Sequence, residues 1–350
     1  MDYISKYFSW LFGEYFPWLW GEVRNFLLNP DGPADKFVIM IIAILFFIVV
    51  MGLILFLVDR PKNAPRWLVV LGFVGPAVLA IGFGLVYPAL ATMWSSLFNK
   101  NGAEFIGLDN YVTAVTEPAF QTVLRNTILW VVLVPLLSTF LGLVYAVLVD
   151  RTRIERWAKT LMFLPMAISM VGASIIWKFV YAVRGADYDQ IGLLNQLLVW
   201  LGQEPRSFLI DSPWNNLFLI AVMVWIQTGF AMTILSAAIK AIPDDIVEAA
   251  RLDGLAGLQM FRYITVPSIR PALVVVLTTI AMATLKVFDI VRTMTNGNYA
   301  TSVIANEFYD QSFRKANAGL GAALAVILFI FVIPLVIYNV RQMRLSEEIR

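Results

Sequence analysis

The chain has 350 residues, 60% of them hydrophobic and 14% charged, with a formal net charge of +2. Soluble domains are nearer half apolar and a quarter charged, so this composition places the chain in a membrane. It holds no cysteine and no histidine, which excludes disulfides, thiol nucleophiles, histidine acid–base pairs and ordinary zinc sites; the small, scattered positive charge makes nucleic acid a poor partner.

Residues 1–36 come first. The stretch "YISKYFSWLFGEYFPWLWGEVRNFLL" is dense in Trp, Tyr and Phe but interrupted by Glu14, Pro17 and Glu22. Aromatic girdles belong at the membrane–water boundary, so this reads as an interfacial amphipathic segment rather than an eighth span. It lacks the basic region, apolar core and small-residue site of a cleavable signal peptide.

A span needs about 20 apolar residues, because the hydrocarbon layer is roughly 30 Å thick and a helix rises about 1.5 Å per residue. Seven stretches qualify: 37–58, 67–94, 126–149, 158–182, 215–238, 271–290 and 319–340. Backbone groups in lipid must bond internally, which makes each a helix and the fold an all-α, polytopic membrane bundle of about seven transmembrane helices. Pro76, Pro88, Pro135, Pro165 and Pro334 fall inside spans, where neighbouring helices can satisfy the freed carbonyls.

Orientation follows from Lys and Arg. Segments 59–66, 150–159, 239–270 and the tail hold fourteen basic residues in about 60, against ten in about 127 for the alternate segments. The positive-inside rule makes the first set cytoplasmic, with the C-terminus inside and the N-terminus outside. The outer segments 95–125 and 183–214 are too short to be independent domains but can form a surface on which an external protein docks.

Polar groups inside spans are few, and such groups normally face a bundle interior or water. Among them Gln227 and Thr228 lie near the middle of the fifth span, with Trp225 and Phe230 close in sequence. Thr284, Lys286 and Asp289 lie in the outward half of the sixth, where Lys286 and Asp289 are three apart and would share a helix face. Amide and hydroxyl groups beside aromatic rings suit a sugar, which offers hydroxyls at its rim and C–H patches on its faces. The competing reading is structural: Thr and Ser in spans commonly bond their own helix, and Lys near an end reaches the headgroups.

Between the fifth and sixth spans lies "VEAARLDGLAGLQMFRYITVPSIRP", residues 247–271. Pro243, Asp244 and Asp245 suit a first helical turn, and Gly254 can take the left-handed conformation that closes a helix. A second short helix follows over about Leu255–Ile264 and stops before Pro267. A helix of about ten residues is marginal alone in water, so it needs packing to hold it. The small pair Ala249–Ala250 would admit a partner backbone, with Glu248 and Arg251 setting register by charge.

Glu248-Ala249-Ala250, then Gly254, Ile264 and Pro267 at fixed gaps, resembles the signature loop of ABC-importer permeases, with Val266 where that family often has Leu. "FVGPAVLAIGFGLVYPAL", "FIGLDNY", "FLPMAISMVGASIIWKFVY", "WIQTGFAMTILSAAIKAIPDD" and "KVFDIVRTMTNG" extend the likeness over about residues 67–345. They are similar to the larger permease subunit of maltose and alpha-glucoside type importers. The resemblance implies an ABC permease domain over 67–345 with a coupling loop at 239–270, preceded by an extra span and loop at 37–66. It implies that Glu248, Ala249, Ala250, Arg251, Asp253, Gly254, Ile264 and Pro267 couple to an ATPase. It implies a sugar substrate, a second permease subunit, two ATPase subunits and an extracytoplasmic solute-binding protein, in the cytoplasmic membrane of a prokaryote.

No G-x-x-x-x-G-K-[ST] phosphate loop occurs, so ATP and Mg2+ are expected on a partner, and no cofactor, metal or catalytic residue on this chain. The alternatives are an ion-coupled secondary transporter, which wants buried carboxylates or unwound half-helices near the midplane, an ABC permease for a non-sugar solute, and a membrane enzyme. Asp244, Asp245 and Asp253 come nearest to the carboxylate cluster an enzyme would need, and helix-dipole stabilisation accounts for them.

Overall fold

Helix length follows apolar length in five long helices. The computed structural model describes residues 21, 25–26, 32–59, 66–150, 152–185 and 187–348. Most of the N-terminal aromatic segment, most of the 59–66 connection, Arg151 and Arg350 lie outside them. Among the described residues five helices are long and apolar enough to cross a membrane, or seven when each of two bent pairs counts as one span. No strand occurs among them, only an isolated bridge between Phe98 and Phe105.

The chain divides into two units, Met1–Pro88 and Ala89–Arg350. In the first, α1 (Pro33–Asp59) packs on α2 (Arg66–Ile81), which passes through a π turn at Gly82–Val86. None of the α1 span is buried, as suits a helix that is apolar all round and solvated by lipid. The helix runs on as α3 (Tyr87–Ser95).

The second unit holds α4 (Asp109–Thr116), α5 (Pro118–Val149), α6 (Glu155–Phe163), a 3-10 turn (Leu164–Ala167), α7 (Met170–Val180), α8 (Leu193–Trp200) and α9 (Asn215–Lys240). It continues with α10 (Asp244–Leu252), α11 (Gly257–Met260), a π turn (Phe261–Thr265), α12 (Val266–Ser268), α13 (Arg270–Leu285), α14 (Asp289–Met294), α15 (Ile304–Tyr309) and α16 (Ala318–Glu348). The central helix is α9, 56% of whose span is buried against 33% for α5 and 28% for α16. Trp130, Met223, Met232, Leu235 and Ile280 form the core around it. Small residues set the spacing, as they do where lipid supplies no hydrophobic drive between helices. A Cβ on Gly142 of α5 would lie 2.6 Å from that of Ala231 on α9, and one on Gly229 would run into the carbonyl oxygen of Met162.

Three expected helices end differently. The 158–182 stretch is not one rod: its halves meet at 103°. Pro165 tightens the end of the first half, and Ser169 starts the second as an N-cap, its hydroxyl accepting from the Gly172 N–H at 3.0 Å. The 271–290 stretch stops at Leu285, and Asp289 opens α14. Lys286 and Asp289 therefore do not share one helix face. The short helix after Gly254 does not stop before Pro267 but continues to Ser268 through the π turn Phe261–Thr265, and the 69° bend comes at Ile269. The wider turn accommodates the missing proline N–H.

Candidate functional site: a capped helix pair, a charged anchor and two polar levels

The end of the second unit that carries α10 to α12 is called lower, and the opposite end upper. Pro243 precedes α10 as its N-cap, with Asp244 and Asp245 in the first turn, where the helix dipole favours negative charge. The helix closes as the sequence anticipates. Gly254 sits at φ +86; its N–H donates to the Arg251 carbonyl and the Leu255 N–H to the Ala250 carbonyl, each at 3.0 Å. This paired pattern satisfies the last carbonyls and fixes the turn into α11. Ala250 is buried within the chain, so it does not offer itself to a partner as its sequence pairing with Ala249 suggests. Ala249, Glu248, Arg251 and Asp253 are exposed, Ile264 is half-buried and Pro267 exposed. The apolar side chains between them stand out: Leu252 is 89% exposed and Leu258 79%, with Ile246 and Tyr263 also open. Apolar groups clustered on a rigid, polar-rimmed element mark an interaction surface.

Where α9 ends, four residues before α10 begins, lies a charged anchor that the spacing of the sequence does not reveal. Asp150, just past α5 and 7% exposed at its side chain, accepts the Ser236 hydroxyl of α9 at 2.8 and 2.9 Å. Lys159 of α6 pairs with Asp150 at 2.5 Å and with Glu155 at 2.9 Å. Lys240, the last residue of α9, pairs with Glu155 and lies 3.9 Å from Asp150. Three helices are thus tied at the point where α9 hands over to α10. In the sequence Lys159 and Lys240 read only as loop charge; their partners lie up to 90 residues away.

At mid-depth, Gln227 is half-buried and its amide has no hydrogen-bond partner among the described residues. Thr228 and Thr284 are buried and donate to their own helix, to the Val224 and Ile280 carbonyls, each at 2.7 Å. Lys286 is exposed, Asp289 half-buried, and the two make no ion pair. Gln227, Lys286 and Asp289 thus keep their hydrogen-bonding capacity, and of the three only Gln227 lies within a long helix, Lys286 and Asp289 coming after Leu285.

The upper end holds a second buried polar set. Asn126 donates to the Ala300 carbonyl at 2.7 Å and the Ser302 carbonyl at 3.0 Å; Asn215 donates to the Tyr299 carbonyl at 2.8 Å. Asn216 reaches the Ala300 carbonyl at 3.2 Å and the Asn126 Oδ1 at 3.3 Å. These amides hold a turn in which Asn296, Tyr299 and Ala300 all take positive φ, between 57 and 58. Each such non-glycine residue costs about 1–2 kcal/mol, and strain of this kind persists only where surroundings over-determine it. The turn borders a cavity of about 850 Å³ shared with α7 and the 207–210 segment. A sequence holding Asn126, Asn215 and Asn216 near the ends of apolar spans carries the signal, but the shared target turn is visible only in the fold.

A bundle of this length around a central span, with a capped helix pair projecting from one end, is the architecture of an importer's membrane component. Residues 137–343 match the family of binding-protein-dependent transport system inner membrane components, and the chain belongs to it. The osmoprotective compounds uptake permease protein GgtC of Synechocystis sp. is 49% identical over 79% of this chain and 100% of its own length. The alpha-glucoside transport system permease protein AglF of Rhizobium meliloti is 48% identical over 81% of this chain and 84% of its own. A bacterial ABC transporter involved in the import of the acidic polysaccharide alginate shares the fold, with TM-score 0.66 at 22% identity over 77% of this chain and 93% of that one.

Proposed function

We propose that the chain is the sugar-translocating permease subunit of an ABC importer of the alpha-glucoside class. The carrying observation is the α10–α12 element: a helix pair closed by a left-handed glycine that leaves Leu252 and Leu258 almost fully exposed. A surface so rigid and apolar suits a cleft in an ATPase subunit. Its position just after the end of α9, at the Asp150–Lys159–Lys240 anchor, lets ATPase movement pull α5, α6 and α9 together. In this reading the lower end is cytoplasmic, Glu248, Arg251 and Asp253 set the register of docking, and ATP with Mg2+ is bound by the two ATPase subunits. A second permease subunit completes the path, and an external binding protein delivers solute to the upper end. The permease core then covers 67–345, with the coupling loop at 239–270.

The solute class is supported by AglF at 48% identity and by the free Gln227 amide, which can give and take hydrogen bonds with a sugar hydroxyl at membrane depth. The test is uptake of radiolabelled maltose, trehalose and sucrose by cells expressing the chain with its neighbouring transport subunits, together with recovery of an ATPase on purification. Uptake of at least one glucoside is expected, reduced at least tenfold by Gln227→Leu while the complex still assembles. Absence of an ATPase from the purified complex, or uptake of none of the three, overturns the reading.

A further inference from the structure

The upper cavity has no part in the mid-depth contact assigned to Gln227. Its wall is rigid: Tyr181 donates its hydroxyl to the Phe218 carbonyl at 3.0 Å, and its ring meets that of Phe208 tilted at 5.7 Å and that of Phe218 edge-on at 5.6 Å. Phe218 precedes Gln227 by nine residues on α9, which separates the two levels by about 13 Å along the helix. The cavity's rim is polar. Asn296 and Asn298 line it, and neither side-chain amide has a hydrogen-bond partner among the described residues. Lys178 reaches the Thr293 carbonyl at 3.5 Å and leaves its other donors open. Tyr299, half-exposed and held at φ +57 by Asn215 acting on its carbonyl, presents its ring at the same rim. At about 850 Å³ the space falls within the range of small-molecule sites, which join apolar walls to a few placed polar groups.

We propose that this cavity is a second carbohydrate site, at the upper mouth, that receives a neutral glycoside before it descends to Gln227. The inference rests on the alpha-glucoside reading above. Aromatic faces meet the sugar's C–H patches, and two free amides, each both donor and acceptor, meet hydroxyls. The strained turn explains its own persistence: the buried Asn126, Asn215 and Asn216 hold Asn296, Asn298 and Tyr299 in place before the ligand arrives, so little ordering remains to be done on binding.

The experiment uses the assembled transport complex in nanodiscs without the binding protein, with saturation-transfer NMR of maltose, trehalose and sucrose. In the Gln227→Leu complex the sugar signal is expected to persist. Adding Asn298→Leu, or Tyr299→Gly, is expected to reduce it at least fivefold. Tyr299→Gly also relieves a left-handed tyrosine, so its melting temperature should equal or exceed that of the parent, which separates loss of a ligand contact from loss of fold. A signal unchanged by both upper substitutions overturns the site, and so does a signal abolished by Gln227→Leu alone. Absence of signal in a wild-type complex that still transports a glucoside overturns the upper site only; absence of transport as well overturns the glucoside reading with it.

Discussion

Leu252 offers the sharpest test of how α10 works. Its side chain is 89% exposed, so the fold gains almost nothing from it. A partner cleft that covered it would remove most of three carbons' worth of surface beyond what alanine provides. At about 0.8 kcal/mol per CH2, scaled by that exposure, Leu252→Ala should weaken docking by about 2 kcal/mol, or roughly 30-fold in Kd. The assay is titration of the purified permease pair in nanodiscs with its ATPase, read by fluorescence anisotropy, alongside a thermal melt of the permease pair alone. The melt should move by less than about 1 °C, because no packing in the chain is lost. An ATPase Kd within twofold of wild type would refute the reasoning: Leu252 would then be an ordinary exposed apolar residue, as many are on any protein surface.

Gly254→Val should uncouple transport from ATP hydrolysis. The space around a Cβ there is open, so the penalty is purely that of a β-branched residue at φ +86, at least the roughly 1–2 kcal/mol of a left-handed residue; ATP turnover and uptake measured on the same vesicles would refute this if their ratio held. Asp150→Ala should destabilise the second unit by about 1.5 kcal/mol, the lower end for losing hydrogen bonds to a charged group, because Lys159 is partly exposed and keeps Glu155. An apolar Asp150→Leu/Lys159→Met pair should recover most of that loss in a detergent melt, and no difference between the two proteins would refute the anchor.

Local chemistry was the legible part. The seven apolar stretches fall on five span-length helices and two bent pairs, because length against bilayer thickness needs no knowledge of neighbours. The closure of α10 was equally readable, since a glycine after a short amphipathic run settles its own turn. The breaks at Ser169 and Leu285 were not readable. An apolar run keeps the same hydropathy whether its helix is straight or folded on itself, and a serine in it can bond the preceding turn or cap a new helix. Charged and amide networks failed for another reason. Asp150 finds Ser236 across 86 positions and Asn126 finds Ser302 across 176, and no periodicity reports a pairing made by packing.

The helices that follow these two breaks meet in space, and the meeting has a physical basis. Lipid does not tolerate irregular backbone, which persists at membrane depth only where it is buried in protein or lines a water-filled cavity. The half-helix after the 103° bend, α7, packs on α14, the short helix after the break at Leu285. Between their upper ends lies the cavity bordered by Lys178 and Asn296. The places where apolar patterning misjudged a straight helix are thus the places where the chain turns away from lipid to enclose polar space. A permease needs such space and a simple membrane anchor does not, so the broken helices, more than the long ones, carry the functional information of this fold.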